Sequence, residues 1–179
     1  MQNHRVKTDD LIYSGRVLDL HRVVLEMSDG SVIERELLHY NGAAVVLPLL
    51  DDGRIVLIRN RRFAVGEDLW ELPAGNLEEG EDPCVAAARE LTEETGYTAG
   101  RIEKLGQFFA APGTSDETLH TYVATQLSPG PQRLERYEEI TTAVMSQAQV
   151  RGMIVRGEIH DAKTIASLGL FWMRRLPLA

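Results

Sequence analysis

The stretch AGNLEEGEDPCVAAARELTEETGY, residues 74–97, places Glu90, Glu93 and Glu94 at spacings of three and four residues. On a helix those spacings stack like charges on one face, at a cost of roughly 0.2–0.5 kcal/mol per pair. The segment nevertheless carries every other mark of a helix. Asp82 suits the N-cap, and Pro83 suits the first helical position, where its missing N–H costs nothing. Gly96 stands at the usual C-terminal stop. Cys84, Ala87, Ala88, Leu91 and Thr95 form a small, mostly apolar stripe, while Ala86, Glu90, Glu93 and Glu94 share another face. The pattern predicts a helix that docks on a sheet through its alanines and turns its acids outward.

A solvated acidic face usually alternates Glu with Lys or Arg four residues on, gaining ion pairs. Here the nearby cation is Arg89, adjacent in sequence rather than stacked. A bound divalent cation supplies the missing counter-charge better. Magnesium accepts hard carboxylate oxygens, keeps several waters and shares its shell with substrate phosphates.

On either side of this helix the chain alternates between strand and turn. Residues 11–40 alternate apolar and polar groups around Asp29-Gly30, a strong hairpin signal. AAVVLPLL (43–50), the turn Asp51-Asp52-Gly53 and RIVLIRN (54–60) predict a second hairpin. Its continuous apolar first strand implies burial on both faces, with Pro48 ending it at an edge or bulge. Beyond the helix, KLGQFFAAPG and TLHTYVATQL read as strands around a loop at Pro112-Gly113, and ITTAVMS (140–146) as another. SPGPQ (128–132) reads as a loop, and SQAQVRGMIVRG and AKTIASLGLFWMRR as closing helices. The fold class is α/β in the broad α+β sense, with residues 1–40 as an N-terminal β region and 41–179 as the main domain.

The net charge of −8 argues against a general nucleic-acid binder, since phosphate backbones need clustered Lys and Arg. Cys84 is the single cysteine, which excludes an internal disulfide framework, and no acid or histidine pattern marks it as a nucleophile. The N-terminus MQNHRVKTDD has no apolar signal region, and no run of eighteen apolar residues offers a membrane span, so a cytoplasmic location is expected. The histidines at 4, 21, 39, 120 and 160 show no metal-ligand spacing.

Gly75, five residues, Glu81, seven residues, then Arg89-Glu90-Leu91-Thr92-Glu93-Glu94-Thr95-Gly96 resembles the signature of the Nudix hydrolases over residues 75–97. Tyr97 departs from it, standing where the family generally has an aliphatic residue. The resemblance implies an α/β/α sandwich with a mixed sheet, whose loop–helix–loop holds Mg²⁺ or Mn²⁺, two or three ions per site. It also implies hydrolysis of a nucleoside diphosphate linked to another group. Residue by residue, it makes Glu90 and Glu94 metal ligands, with Glu93 next and the Ala74 carbonyl able to join them. Glu93 and Glu94 lie about 40° to 60° around the helix from Glu90, as a shared cation requires. Glu81 and Arg89 would orient the ligands by hydrogen bonds behind them.

Flanking segments resemble the ADP-ribose pyrophosphatase subfamily. RNRRFAVGEDLWELPAG (59–75) is similar to its lead-in, with Arg62 and Glu71 facing substrate. Pro112 stands fifteen residues after Tyr97, like the subfamily's marker proline, and continues through Gly113 to Glu117 in APGTSDE. The tail GEIHDAKTIASL resembles its terminal helix. Arg62 suits a pyrophosphate through its bidentate fork, although a surface arginine would look the same. Glu117 reads equally as a substrate contact or a turn residue, and Trp70 reads as core. Val17-Leu18 replaces an aromatic that can stack on adenine in some relatives. The resemblance places the general base among Glu138 and Glu139, and Glu139 is favoured for lying closest before the strand. The substrate implied is ADP-ribose, cleaved to AMP and ribose 5-phosphate, by a homodimer whose N-terminal strands cross to the partner. GDP-mannose or a dinucleotide is the competing substrate class. A non-catalytic nucleotide sensor fits less well, because such domains often lose acids that this chain keeps.

Overall fold

A computed structural model describes residues 4–174; residues 1–3 of the N-terminal β region and Arg175 of the closing helix lie outside the described residues. The chain divides into two compact units: one runs through Gly42 and takes in Phe109–Thr118, the other comprises Ala43–Phe108 and the chain from Leu119 onward.

The first unit is a three-stranded antiparallel sheet in the order β1 (His4–Ser14), β2 (Leu18–Met27), β3 (Val32–Tyr40). The expected hairpin at Asp29-Gly30 is present as β2 and β3, with Gly30 at φ +81°. β1 falls in the expected N-terminal β region, but most of it precedes the alternation read from residue 11 onward. Every residue of it is exposed, so no buried face marks it by alternation.

In the second unit the apolar strand β4 (Ala43–Pro48) is buried throughout, as its composition requires. It does not form the expected hairpin with β5 (Ile55–Arg62). The turn at 51–53 closes, but only Leu49 and Ile55 bridge before the strands part into different sheets. β4 is apolar on both faces and needs neighbours on both edges. It finds them in β7 (Ala74–Asn76), antiparallel, and β9 (Thr118–Pro129), parallel. The four-stranded mixed sheet runs β7-β4-β9-β8, with β8 spanning Tyr97–Phe109. Pro48 is the last residue of β4, beyond the three residues that pair with β7, where its missing N–H breaks no ladder bond. β5 turns polar after Ile58 and joins a second sheet, β10-β5-β6, with β6 at Glu67–Glu71 and β10 at Ile140–Met145.

Successive side chains of β4 serve opposite layers. Ala44 and Val46 pack with Ala86, Ala87 and Leu91 of α1 (Pro83–Thr95). Val45 and Leu47 pack with Val150 and Met153 of α2 (Gln147–Val155) and with Leu168 and Phe171 of α3 (Ala162–Met173). Helices thus cover the sheet on both faces, the expected α/β/α sandwich. Trp70 packs against the second of these cores, as read from the sequence. Among the described residues no helix is long and apolar enough to cross a membrane.

Candidate active site: an acidic helix against a glycine strand

α1 begins and ends as its residues dictate. The Asp82 carboxylate accepts from the backbone N–H groups of Cys84 and Val85, and Gly96 takes the left-handed conformation at φ +76°. Gly96 also faces the 130–132 segment so closely that a Cβ would collide with the Gly130 carbonyl. Behind it, the backbone N–H of Arg133 donates to the Glu93 carbonyl at 2.9 Å and Gln132 Nε2 to that of Glu94 at 2.5 Å, tying the loop after β9 to the helix end.

The expected outward turn of the acids is wrong for two of the three. Glu90 and Glu94 are 8% and 3% exposed, with Ala86, placed on the same face, fully buried beside them. Glu93 is half-exposed. The cause is the strand under the helix: a Cβ at Gly75 would overlap the Glu90 carboxylate, so only glycine admits it. One residue earlier, the backbone N–H of Ala74 donates to Glu94 Oε2 at 2.8 Å.

Arg89 is more than an adjacent cation. Its Nε and Nη2 grip both oxygens of Glu81 at 3.0 Å, and its Nη1 donates to Glu90 Oε1 at 2.5 Å and to Glu93 Oε2 at 3.2 Å. Arg89 therefore positions Glu90 and Glu93, while Glu81 anchors Arg89. The same contacts hold the Glu81 carboxyl below its usual range and keep Arg89 firmly charged.

Glu90 and Glu94 are pushed the other way. Burial raises both, Glu94 to about 8, and the charge of Glu138 raises each further. Arg62 acts against this on Glu94, so its guanidinium lies within electrostatic reach of that carboxyl. Arg62 donates through Nε and Nη2 to the fully buried Glu71 at 2.8 and 2.6 Å. Three of its five N–H groups remain for a substrate oxygen. Glu71 is also bound by Lys163 Nζ at 2.5 Å, and Lys163 by Asp161 at 3.0 Å. Sequence reasoning missed Lys163 and Asp161; Asp161 at the N-cap of α3 was the available signal.

Glu138 and Glu139 precede β10 and line one cleft with Arg59 and Arg61. Glu138 is half-buried and its charge reaches Glu90 and Glu94, whereas Glu139 is exposed. Pro112, Gly113 and Glu117 lie in the first unit, on a turn closed by Ala110 N–H donating to the Glu117 carbonyl at 3.1 Å.

The chemistry of the donor set fits a hard divalent cation. Glu90 and Glu94 are buried carboxylates with too few donors to hold two charges, and an ion of opposite sign resolves that conflict.

A family model for the NUDIX domain matches residues 39–168. The ADP-ribose pyrophosphatase of Bacillus subtilis is 37% identical over 155 residues, covering 86% of this chain and 84% of that one. The methanol dehydrogenase activator of Bacillus methanolicus is 35% identical, covering 91% and 89%. A crystal structure of an ADP compounds hydrolase superposes with a TM-score of 0.86 over 97% of this chain and 96% of its own, at 23% identity, a likeness of fold. With the acids, the arginine and the glycine of residues 75–97 in place, the chain belongs to the Nudix hydrolase family.

Proposed function

We propose that the enzyme hydrolyses ADP-ribose to AMP and ribose 5-phosphate with Mg²⁺ or Mn²⁺ bound at α1. The observation that carries the reading is the buried pair Glu90 and Glu94, held against Gly75 with Glu94 raised to about 8. Such a pair serves no packing purpose and would hold a hard divalent cation. The likeness to an ADP-ribose pyrophosphatase supports the choice of substrate.

Glu90, Glu94 and the outer Glu93 would hold the ions, with the Ala74 carbonyl beside them. Held there, a divalent metal would supply Lewis acidity to the reaction. Arg62, steadied by Glu71, takes non-bridging phosphate oxygens through its free N–H groups. Glu138 removes the proton of the attacking water; its half-buried position near the acids favours it over Glu139. Water adds to one phosphorus, the P–O bond to the bridging oxygen breaks, and the other phosphate departs. Arg89 keeps Glu90 and Glu93 aimed throughout. Pro112, Gly113 and Glu117 contact the substrate in the assembled enzyme, which we place in the cytoplasm.

The working form is a homodimer. Val6, Leu11, Ile12, Tyr13 and Val17 are all at least half-exposed, and β1 stands at the edge of its sheet. An open apolar edge strand pairs readily with a second copy.

The test is a substrate panel with Mg²⁺: ADP-ribose, GDP-mannose and dinucleotides, products separated and quantified. AMP and ribose 5-phosphate in equal amounts from the fastest substrate is the expected result. Faster release of GMP from GDP-mannose would overturn the assignment.

A further inference from the structure

Within the first unit, three strands bring together residues whose sequence spacing gives no sign of a site. Asp9 lies opposite Val23, Leu11 opposite His21, His21 opposite Leu37, and Asp19 opposite His39. Alternation then sets Asp9, His21 and His39 on one face along one diagonal, where neighbours across strands are within side-chain reach. One ligand atom from each of the three lies within 4.8 Å of the others.

The contacts are specific. His21 Nδ1 is 2.5 Å from Asp9 Oδ1, and His39 Nδ1 is 2.5 Å from Asp116 Oδ2. The other Asp116 oxygen accepts the Tyr40 backbone N–H at 3.0 Å, which fixes that carboxylate in place. The two imidazoles meet edge to face, centroids 4.4 Å apart, and both are substantially buried for surface rings, at 20% and 34% side-chain exposure. The cluster gathers two ring nitrogens and a carboxylate oxygen at one point of the sheet, which is the ligand chemistry that a single cation takes.

We propose that Asp9, His21 and His39 bind one zinc-class divalent cation, with Asp116 orienting the His39 ring. Two imidazole nitrogens, one carboxylate and a water make a tetrahedral set suited to Zn²⁺, unlike the all-carboxylate set of α1, which suits Mg²⁺. The carboxylate behind His39 is the usual outer support of a metal-bound histidine. Ligands of such an ion stand about 3.3 Å apart at Zn–N lengths of about 2.0–2.1 Å, a closure that side-chain torsions supply. The ion joins β1, which buries nothing, to β2 and β3. Its role is to add a side-chain link to a strand that is otherwise held by its backbone pairing with β2.

The experiment titrates the full-length protein with ZnCl₂ in saturating Mg²⁺ by calorimetry, and repeats it with Co²⁺ to read the absorption bands of a tetrahedral site. Expected is about one zinc equivalent that survives in E90Q/E94Q and vanishes in H21Q/H39Q. Should the double histidine variant fold poorly by circular dichroism, D9N carries the test, with zinc affinity lowered about tenfold or more and strand content intact. No zinc binding by the parent overturns the site. So does binding that H21Q/H39Q and D9N leave unchanged, or that E90Q/E94Q abolishes.

Discussion

Glu94 Oε2 takes the backbone N–H of Ala74 at 2.8 Å from a position only 3% exposed to solvent. One hydrogen bond does not repay the burial of a full charge. The carboxyl therefore holds its proton until the pH reaches about 8, and the metal-free protein records this in its stability.

In chelator, stability should fall as pH rises from about 4.5 to about 8. Folded Glu94 keeps a proton through this window that the unfolded chain has lost above its ordinary value of 4.5. The unfolded state then binds fewer protons, and the slope of unfolding free energy against pH is negative. The contribution is complete below the unfolded pKa and gone once the folded group ionises. Denaturant unfolding at several pH values with EDTA checks it. Glu94→Gln should flatten the slope, and an equally steep variant would remove Glu94 as the cause.

Binding of Mg²⁺ at pH 7 should release about one proton per protein, because the ligand must ionise to coordinate. Calorimetry in two buffers of different ionisation enthalpy measures it directly. Glu94→Gln should release none and lose turnover by about a hundredfold or more, beyond the 10–100-fold typical of outer supports.

Gly75→Ala adds one methyl where the Glu90 carboxylate lies. Helix content should survive, since the caps at Asp82 and Gly96 are untouched. Glu90 must swing aside, so metal affinity and turnover should fall at least about tenfold. Wild-type kinetics in this variant would show that Glu90 has room to spare.

Glu138→Gln should lower kcat by about 10²–10⁴-fold with KM little changed, as removal of a general base does. Glu139→Gln should cost less, its side chain being exposed. The reverse order would return the role to Glu139.

Deleting residues 1–40 should convert a dimer into a monomer and weaken substrate affinity together. Light scattering and KM on the same preparations decide it. A parent protein that runs at 20.0 kDa with full activity would refute the shared assembly.

What the sequence displayed clearly was local. Asp82, Pro83 and Gly96 announce α1, and Asp29-Gly30 announces the β2–β3 turn, because each acts through its own backbone neighbours. Five-residue β6 and three-residue β7 carry too few side chains to show a period. The parting of β4 from β5 depends on partners far along the chain, β9 and β10. The site divides the same way. The acids of α1 stood out by spacing, but their burial depends on a missing side chain at Gly75. The His21–His39 contact depends on strand register across β2 and β3, which no spacing rule reports.

The two-sided packing of β4 has a consequence for how the molecule opens. Because Ala44 and Val46 hold α1 while Val45 and Leu47 hold α2 and α3, no single helix can peel away and expose this strand completely. Its amide hydrogens, including that of Val46 bonded to the Pro73 carbonyl at 2.9 Å, should be among the slowest to exchange with deuterium. They become free only when the whole second unit unfolds.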